Sequence, residues 1–193
     1  MNKAFLATAL MVLVTGSSFA QKSYYSKESK VGIKYPAGWK LTKKSSDTGS
    51  TYSDGATFSS PAMSIVAVVS MPDKSFPRTN FEGGLATVSA AKEPTGGCTK
   101  LEGFGDSAEQ PIKWRSVVIG GRTFDRYESD DGATGHFNTL RYFRTLHAGM
   151  CYEVALDVKT ENMGMWPSTK GYKPLKTNLA LASLEAIVRG LYF

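Results

Sequence analysis

Acidic side chains and one histidine are concentrated between positions 125 and 136. These residues are Asp125, Glu128, Asp130, Asp131 and His136. Carboxylates beside an imidazole can bind a divalent cation or share acid–base catalysis. The calcium-loop template does not fit, because its first and third ligands would be Tyr127 and Ser129. Two hypotheses stay open: a metal-dependent binder or enzyme using Asp130, Asp131 and His136, and a solvated hairpin turn, which has the same composition.

The second group with chemical potential is the pair of cysteines, Cys98 and Cys151. An exported chain with an even number of cysteines favours a structural disulfide, here closing a loop of about 50 residues and contributing roughly 4 kcal/mol. The alternative is a nucleophilic thiol with His136 or His147 as its base. That chemistry needs one unpaired cysteine beside a base, so we predict the Cys98–Cys151 disulfide.

The N-terminus has the features of a signal peptide. Lys3 gives a positive start, residues 4–14 are apolar or small, and residues 15–20 are polar and small. The apolar run is about 16 Å long as a helix, against roughly 30 Å of bilayer hydrocarbon. We predict cleavage between Ala20 and Gln21, and a periplasmic or secreted chain with no transmembrane segment after processing.

Positive charge is concentrated just after this predicted cleavage site. Residues 22–44 contain seven lysines and one acidic residue, so the whole net charge of +6 lies in this segment. It predicts docking on an acidic envelope protein, lipid or polymer. The residues predicted to contact such a partner are Lys30, Lys34, Lys40, Lys43 and Lys44. The alternative is a solvated strand face on which the lysines only prevent edge-to-edge association.

Length and composition predict one domain over residues 21–193, since 193 residues with 41% hydrophobic content form a single ordinary core. Alternation predicts strands at 31–35 and 39–41, and residues 51–59 are rich in strand-forming side chains. The apolar run 64–71 predicts a central strand buried on both faces. Four further strands form an antiparallel meander: 113–119, 123–128, 137–146 and 151–159. The segment 130–135 is predicted to be a turn, and residues 160–173 an irregular loop.

Two helices are predicted to cover this sheet. The first, at about 80–92, begins at the capping-box pattern Thr79–Glu82 and repeats apolar residues at Phe81, Leu85 and Val88. The second, at about 174–189, ends at Gly190. In the strand 151–159, Cys151 alternates away from the apolar stripe, so we expect the disulfide to fasten the segment after the first helix to the sheet face on which that helix lies.

In element order the chain resembles the Mog1/PsbP-like superfamily, particularly its small exported bacterial members of unassigned function. The segments carrying the resemblance are 32–39 (GIKYPAGW), the Val-rich strand, the meander and 187–193 (IVRGLYF). The resemblance implies an α+β fold, an α/β/α sandwich around a mainly antiparallel sheet with two main helices. It also implies a binding or accessory role, since members include an accessory subunit of photosystem II and a regulator of a nuclear GTPase and share no catalytic residues.

These observations favour an exported accessory or binding protein of the cell envelope without catalytic activity. The sequence contains no Gly-x-Ser-x-Gly, His-Glu-x-x-His or phosphate-binding glycine motif, so hydrolase, metalloprotease and nucleotide-dependent classes are not indicated and no cofactor is predicted. Nucleic acid is not a predicted partner, because no helix-turn-helix, zinc-finger or aromatic RNA-binding signature accompanies the basic charge. The alternative function is the metal-dependent one at Asp130, Asp131 and His136.

Overall fold

The computed structural model describes residues 20–43, 63–92, 98, 115–133 and 135–193. The predicted signal peptide up to residue 19, the strand-like segment 51–59 and Lys44 lie outside these residues. The strands are β1 (Gln21–Ser26), β2 (Val31–Pro36), β3 (Lys40–Lys43), β4 (Ser64–Ser70), β5 (Phe81–Lys92), β6 (Arg115–Ile119), β7 (Arg122–Ala133), β8 (His136–His147), β9 (Met150–Glu161) and β10 (Leu191–Tyr192). A 3-10 helix spans Met163–Met165, and the α-helix α1 spans Thr177–Arg189.

Two antiparallel sheets make up the described part of the chain. The larger has seven strands in the order β3-β4-β5-β9-β8-β7-β6, and the smaller has the order β1-β2-β10. The predicted meander is confirmed as the run β6 to β9, each strand pairing with its sequence neighbour. The Val-rich strand is confirmed as β4, although it lies second from the edge and not at the centre.

The helix predicted at about 80–92 is wrong, because these residues form β5 between β4 and β9. The apparent helix cap is used differently: the Thr79 hydroxyl accepts the Phe81 amide proton at 3.2 Å, and the Asn80 side chain joins the Glu161 carbonyl to the Leu175 amide. Residues 83 and 84 are both glycine, which disfavours a helix interior. β5 has a neighbouring strand on each side and is buried on both faces. A strand in this position does not show the alternation of apolar and polar residues that marks a half-exposed strand.

The second predicted helix is confirmed as α1, which begins three residues later than expected and ends at Gly190. It packs its buried face on one side of the large sheet; the buried helix residues are Ala180, Leu181, Leu184, Ile187 and Val188. Opposite it on β5 lie small side chains, Ala86 and Ala90, on either side of Val88. Alanine at these positions lets the helix approach the sheet closely. Among the described residues the sheet therefore carries one α-helix on one face, and the two-helix sandwich is not confirmed.

A buried arginine fastens α1 to the meander. The Arg141 guanidinium, on β8, donates to a Glu128 carboxylate oxygen of β7 and to a Glu185 carboxylate oxygen of α1, both at 2.6 Å. Arg141 is 7% exposed. A buried guanidinium with two carboxylates is compensated in charge and hydrogen bonding, so it fixes the position of the helix on the sheet.

In the small sheet, the ring of Tyr192 on β10 packs directly over Gly32 on β2. The Tyr192 ring lies so close to Gly32 that a Cβ at that position would overlap it. The same ring stacks on Tyr25, with centroids 6.1 Å apart and planes 19° apart. Gly32 is thus required by the approach of a ring and not by a turn.

We predict that Gly32→Val destabilises the protein by about 1–3 kcal/mol, because the new side chain displaces the Tyr192 ring. The midpoint of urea unfolding measures this loss. In a Tyr192→Ala background the same substitution is expected to be neutral or stabilising, since valine favours strands more than glycine does. An equal loss in both backgrounds would mean that the ring is not the cause.

Candidate functional site

The face of the large sheet opposite α1 combines charged and polar side chains with a small buried apolar cluster, and we call it the polar face. It is built by alternation: β9 points Tyr152, Val154, Leu156 and Val158 into the core that α1 shares, and the intervening residues point the other way. The residues of β5 and β8 that lie opposite those intervening β9 residues are on the same face of the sheet. The polar face contains Thr87, Ser89, Asn138, Leu140, Tyr142, Arg144, Cys151, Glu153, Ala155 and Asp157.

The predicted disulfide between Cys98 and Cys151 is present, with the two Cα atoms 5.5 Å apart. Both cysteines are buried, at 7% and 0% exposure. The bond lies on the polar face and joins the segment after β5 to the first residues of β9. The expectation that it would lie on the face of the first predicted helix was wrong, because that helix is a strand within the sheet. With both sulfurs bonded, neither cysteine is a thiol nucleophile.

A buried ion pair lies beside the disulfide. Arg144 Nε donates to Glu153 Oε2 at 2.6 Å, and Arg144 Nη1 donates to the Cys98 carbonyl oxygen at 3.0 Å. Arg144 is 3% and Glu153 0% exposed. Removal of either partner leaves an uncompensated buried charge, which costs several kcal/mol. The arginine therefore couples the sheet to the backbone at the disulfide.

Asp157 is the group on the polar face with the least compensation. It is 5% exposed, and neither carboxylate oxygen accepts a hydrogen bond from any described residue. Its cross-strand neighbours are Leu140 on β8 and Leu85 on β5, whose side chains have no donor. Burial raises the pKa of the Asp157 carboxyl to about 7, against a smaller lowering by Lys159. Near neutral pH this carboxyl is therefore shared between its acid and carboxylate forms.

Alternation along the last predicted strand puts Glu153 and Asp157 on the face of Cys151, but sequence reasoning missed the Arg144–Glu153 ion pair and the buried state of Asp157. Only four residues separate the strands predicted at 137–146 and 151–159, with Ala148–Gly149 at their centre, and a two-residue hairpin turn there fixes the register of the strands it joins. Counting outward from that turn places Arg144 opposite Glu153, as the structure shows. The register set by this turn was therefore enough to predict that Arg144 and Glu153 pair.

Asp130 and His136, two residues of the alternative hypothesis, do not converge. β7 continues through the predicted turn to Ala133, so Asp130 and His136 alternate onto opposite faces of the sheet: Asp130 pairs with Thr139, and His136 with Ala133. His136 Nδ1 lies 2.9 Å from Glu82 Oε2, in an exposed side-chain contact. The backbone of Asp131 lies opposite Asn138. Within the described ranges no group of three or more His, Cys, Asp or Glu residues is arranged to bind a metal ion.

The predicted contact lysines that the structure describes are exposed, but they do not share one face. Lys34 alternates away from Ile33 and Tyr35, so it lies on the outer face of the small sheet. Lys43 lies on the other side, with its ammonium 5.3 Å from the centroid of the Tyr24 ring. Lys30 occupies the β1–β2 turn with φ of 50°, and Lys40 lies on the edge strand β3.

A cleft lies beside Lys43 at the junction of the two sheets. Its volume is about 300 Å³, and its lining is mostly hydroxyl and aromatic groups with one carboxylate: Tyr24, Ser26, Glu28, Ser29, Ser64, Ile65 and Val66. The Tyr152 hydroxyl donates to the Ser29 carbonyl oxygen at 2.9 Å, which fixes one wall to β9. Lys40 and Lys43 therefore lie on the strand that neighbours this cleft.

We predict that stability falls as pH rises from about 4 to about 7, because over this range the folded state holds a proton on Asp157 that the unfolded state has released. The loss reaches at most about 4 kcal/mol. Asp157→Asn is expected to lie within about 1 kcal/mol of the wild type near pH 4 and to be more stable by several kcal/mol near pH 8, measured by urea unfolding. The exposed Asp73→Asn is the control. A pH-independent difference for Asp157→Asn would contradict the assignment.

No protein-family model and no curated protein matches the sequence. Among solved structures, the chain is similar to cyanobacterial PsbP (CyanoP) from Synechocystis sp. PCC 6803, with 10% identity, a TM-score of 0.45 and coverage of 92% of this chain and 95% of that one. It is also similar to LpqN, described as involved in cell envelope biogenesis of Mycobacterium tuberculosis, with 11% identity, a TM-score of 0.48 and 89% coverage of both chains. The first of these proteins carries the name of the PsbP-like superfamily that the sequence resembles. Both TM-scores lie below 0.5.

Proposed function

We propose that this chain is an exported accessory or binding protein of the cell envelope that acts without catalysis. Residues 1–20 are its signal peptide, cleaved between Ala20 and Gln21, and residues 21–193 are its single domain. The observation that carries the proposal is the buried Cys98–Cys151 disulfide. Such bonds persist in oxidising compartments outside the cytoplasm. The basic charge after the predicted cleavage site supports an envelope location, since envelope lipids and polymers are commonly anionic.

Docking in this proposal uses the basic N-terminal region on an acidic partner. Lys40 and Lys43 are both exposed on β3, the edge strand of the large sheet, and Lys43 also contacts Tyr24 beside the cleft. Because Lys34 lies on the outer face of the small sheet, we assign the main contact to β3. Lysine on an edge strand also protects against sheet-to-sheet association, so the experiment must separate docking from protection.

We predict that the protein purified from cells begins at Gln21 and resists alkylation until it is reduced. Intact-mass measurement with and without reductant before alkylation gives both results. Cys151→Ser with Cys98→Ser is expected to fold less stably by about 2–5 kcal/mol. A purified chain that begins at Met1 with two freely alkylated thiols would overturn the proposed location.

We predict that Lys40→Glu with Lys43→Glu lowers the fraction of protein recovered with the cell-envelope fraction at low salt at least about threefold, because two attractive charges become repulsive. Lys74→Glu with Lys92→Glu makes the same change in net charge away from β3 and is the matched control. Equal recovery of the two double variants would refute docking through β3. Thermal melts of both variants show that each is folded.

A further inference from the structure

The segment from Met163 to Lys176, which we call the 163–176 loop, follows β9 at one end of the large sheet. Every residue from Pro167 to Pro174 is exposed. The loop follows the end of β9, where Thr160 pairs with Phe81 and Glu161 with His136. The β1–β2 turn lies near the opposite end of β9, because the Tyr152 hydroxyl contacts Ser29. The loop and the turn that carries Lys30 are therefore separated by most of this 12-residue strand, about 30 Å.

The 163–176 loop holds a defined shape. The Trp166 and Tyr172 rings meet edge to face, with centroids 5.2 Å apart, and Trp166 Nε1 donates to Glu161 Oε2 at 2.9 Å. The Lys173 amide donates to the Arg78 carbonyl oxygen at 3.1 Å, which bridges the loop to the segment before β5. A loop ordered in this way loses little conformational entropy when it binds a surface.

Apolar side chains are exposed on the loop and beside it. Met165 is 68% and Tyr172 50% exposed, although both are large hydrophobic groups. Leu179, in the first turn of α1, is 56% exposed, and Phe137, at the start of β8, is 48% exposed. The Met165 sulfur lies against Gly135 in the turn that precedes Phe137. Among the described residues, these are four of the seven exposed large hydrophobic side chains, and they lie on the loop or on elements next to it.

The charge on the loop itself has one sign, although Asp130 is exposed on β7 near Phe137. Lys170, Lys173 and Lys176 are exposed, and no Asp or Glu occurs between Glu161 and Glu185. Two acidic groups at the base of the loop are engaged by neighbours: Glu161 accepts from Trp166, and Glu82 is paired with His136. The exposed part of the loop thus combines a charge of +3 with apolar groups.

We propose that the 163–176 loop docks this protein on the surface of a bilayer that contains anionic lipid. Met165 and Tyr172 enter the interfacial region, where amphipathic rings and flexible apolar chains are favoured, and the three lysines remain at the headgroups. A flat bilayer suits an exposed loop, whereas a protein partner would need a matching cavity. The inference adds a named partner to the proposed function and rests on it only for access to an envelope membrane.

The test is co-sedimentation of the processed protein, purified from the extracytoplasmic fraction, with vesicles of two compositions. One is phosphatidylcholine alone, and the other contains about one quarter phosphatidylglycerol. Binding is expected to the second at low salt, to weaken as salt is added and to be at least about tenfold weaker on the first. Lys170→Glu with Lys173→Glu is expected to weaken binding to the anionic vesicles at least about tenfold.

Lys92→Glu with Arg115→Glu makes the same charge change at two exposed residues outside both the loop and the basic N-terminal region, and it is expected to retain most of the affinity. Met165→Ser with Tyr172→Ser keeps the charge and is expected to lose the part of the binding that resists salt. Equal binding to both vesicle types would overturn the inference. Equal losses of binding for the loop variant, Lys170→Glu with Lys173→Glu, and for the control charge-reversal variant would also overturn it. A chain that begins at Gln21 with closed cysteines but fails to bind would leave the proposed function intact and remove only this inference.

Discussion

The alternation of side chains along β9 is the constraint on which the rest of the structure depends. β9 lies between β5 and β8 at the centre of the seven strands and is buried on both faces. One set of its residues forms the core with α1, and the other carries Cys151, Glu153 and Asp157. A slip of one residue would place Glu153 and Asp157 against the apolar side of α1. The disulfide, the Arg144–Glu153 pair and the seat of the helix therefore share one register.

This register was largely readable from the sequence, because β9 alternates cleanly and its hairpin to β8 has a short glycine-containing turn. The same local signals gave the β6–β9 meander and placed the end of α1 at Gly190. β5 was misread because its local signals conflict. The spacing of Phe81, Leu85 and Val88 fits a helix, and only pairing with β4 and β9 makes the segment a strand. Non-local pairing overrides weak local preference, so no window around β5 would have identified it.

The chemistry of the polar face was less accessible, for two different reasons. The Arg144–Glu153 pair follows from hairpin register and needed only the counting of residues from the turn. The protonation state of Asp157 does not follow from the register of one hairpin, because its pKa depends first on burial and then on the charges of Lys159 and Glu82, which lie on different strands. Asp130 and His136 show the converse: residues that are close in sequence were separated onto two faces when the turn between them became strand.

The positions of the lysines also determine how much positive charge one partner surface can contact. The seven lysines of residues 22–44 exceed the three of the 163–176 loop, yet those that the structure describes are dispersed: Lys22 and Lys34 lie on opposite faces of the small sheet, and Lys40 and Lys43 lie on β3. A partner approaching either face meets only part of that charge, since exposed charges more than about 10 Å apart are screened from one another. The loop lysines recur every three residues on an exposed segment whose neighbours are apolar. The three lysines of the loop lie on one surface beside apolar side chains that can leave water. They can therefore give a more specific contact than the larger number of lysines that are divided between faces.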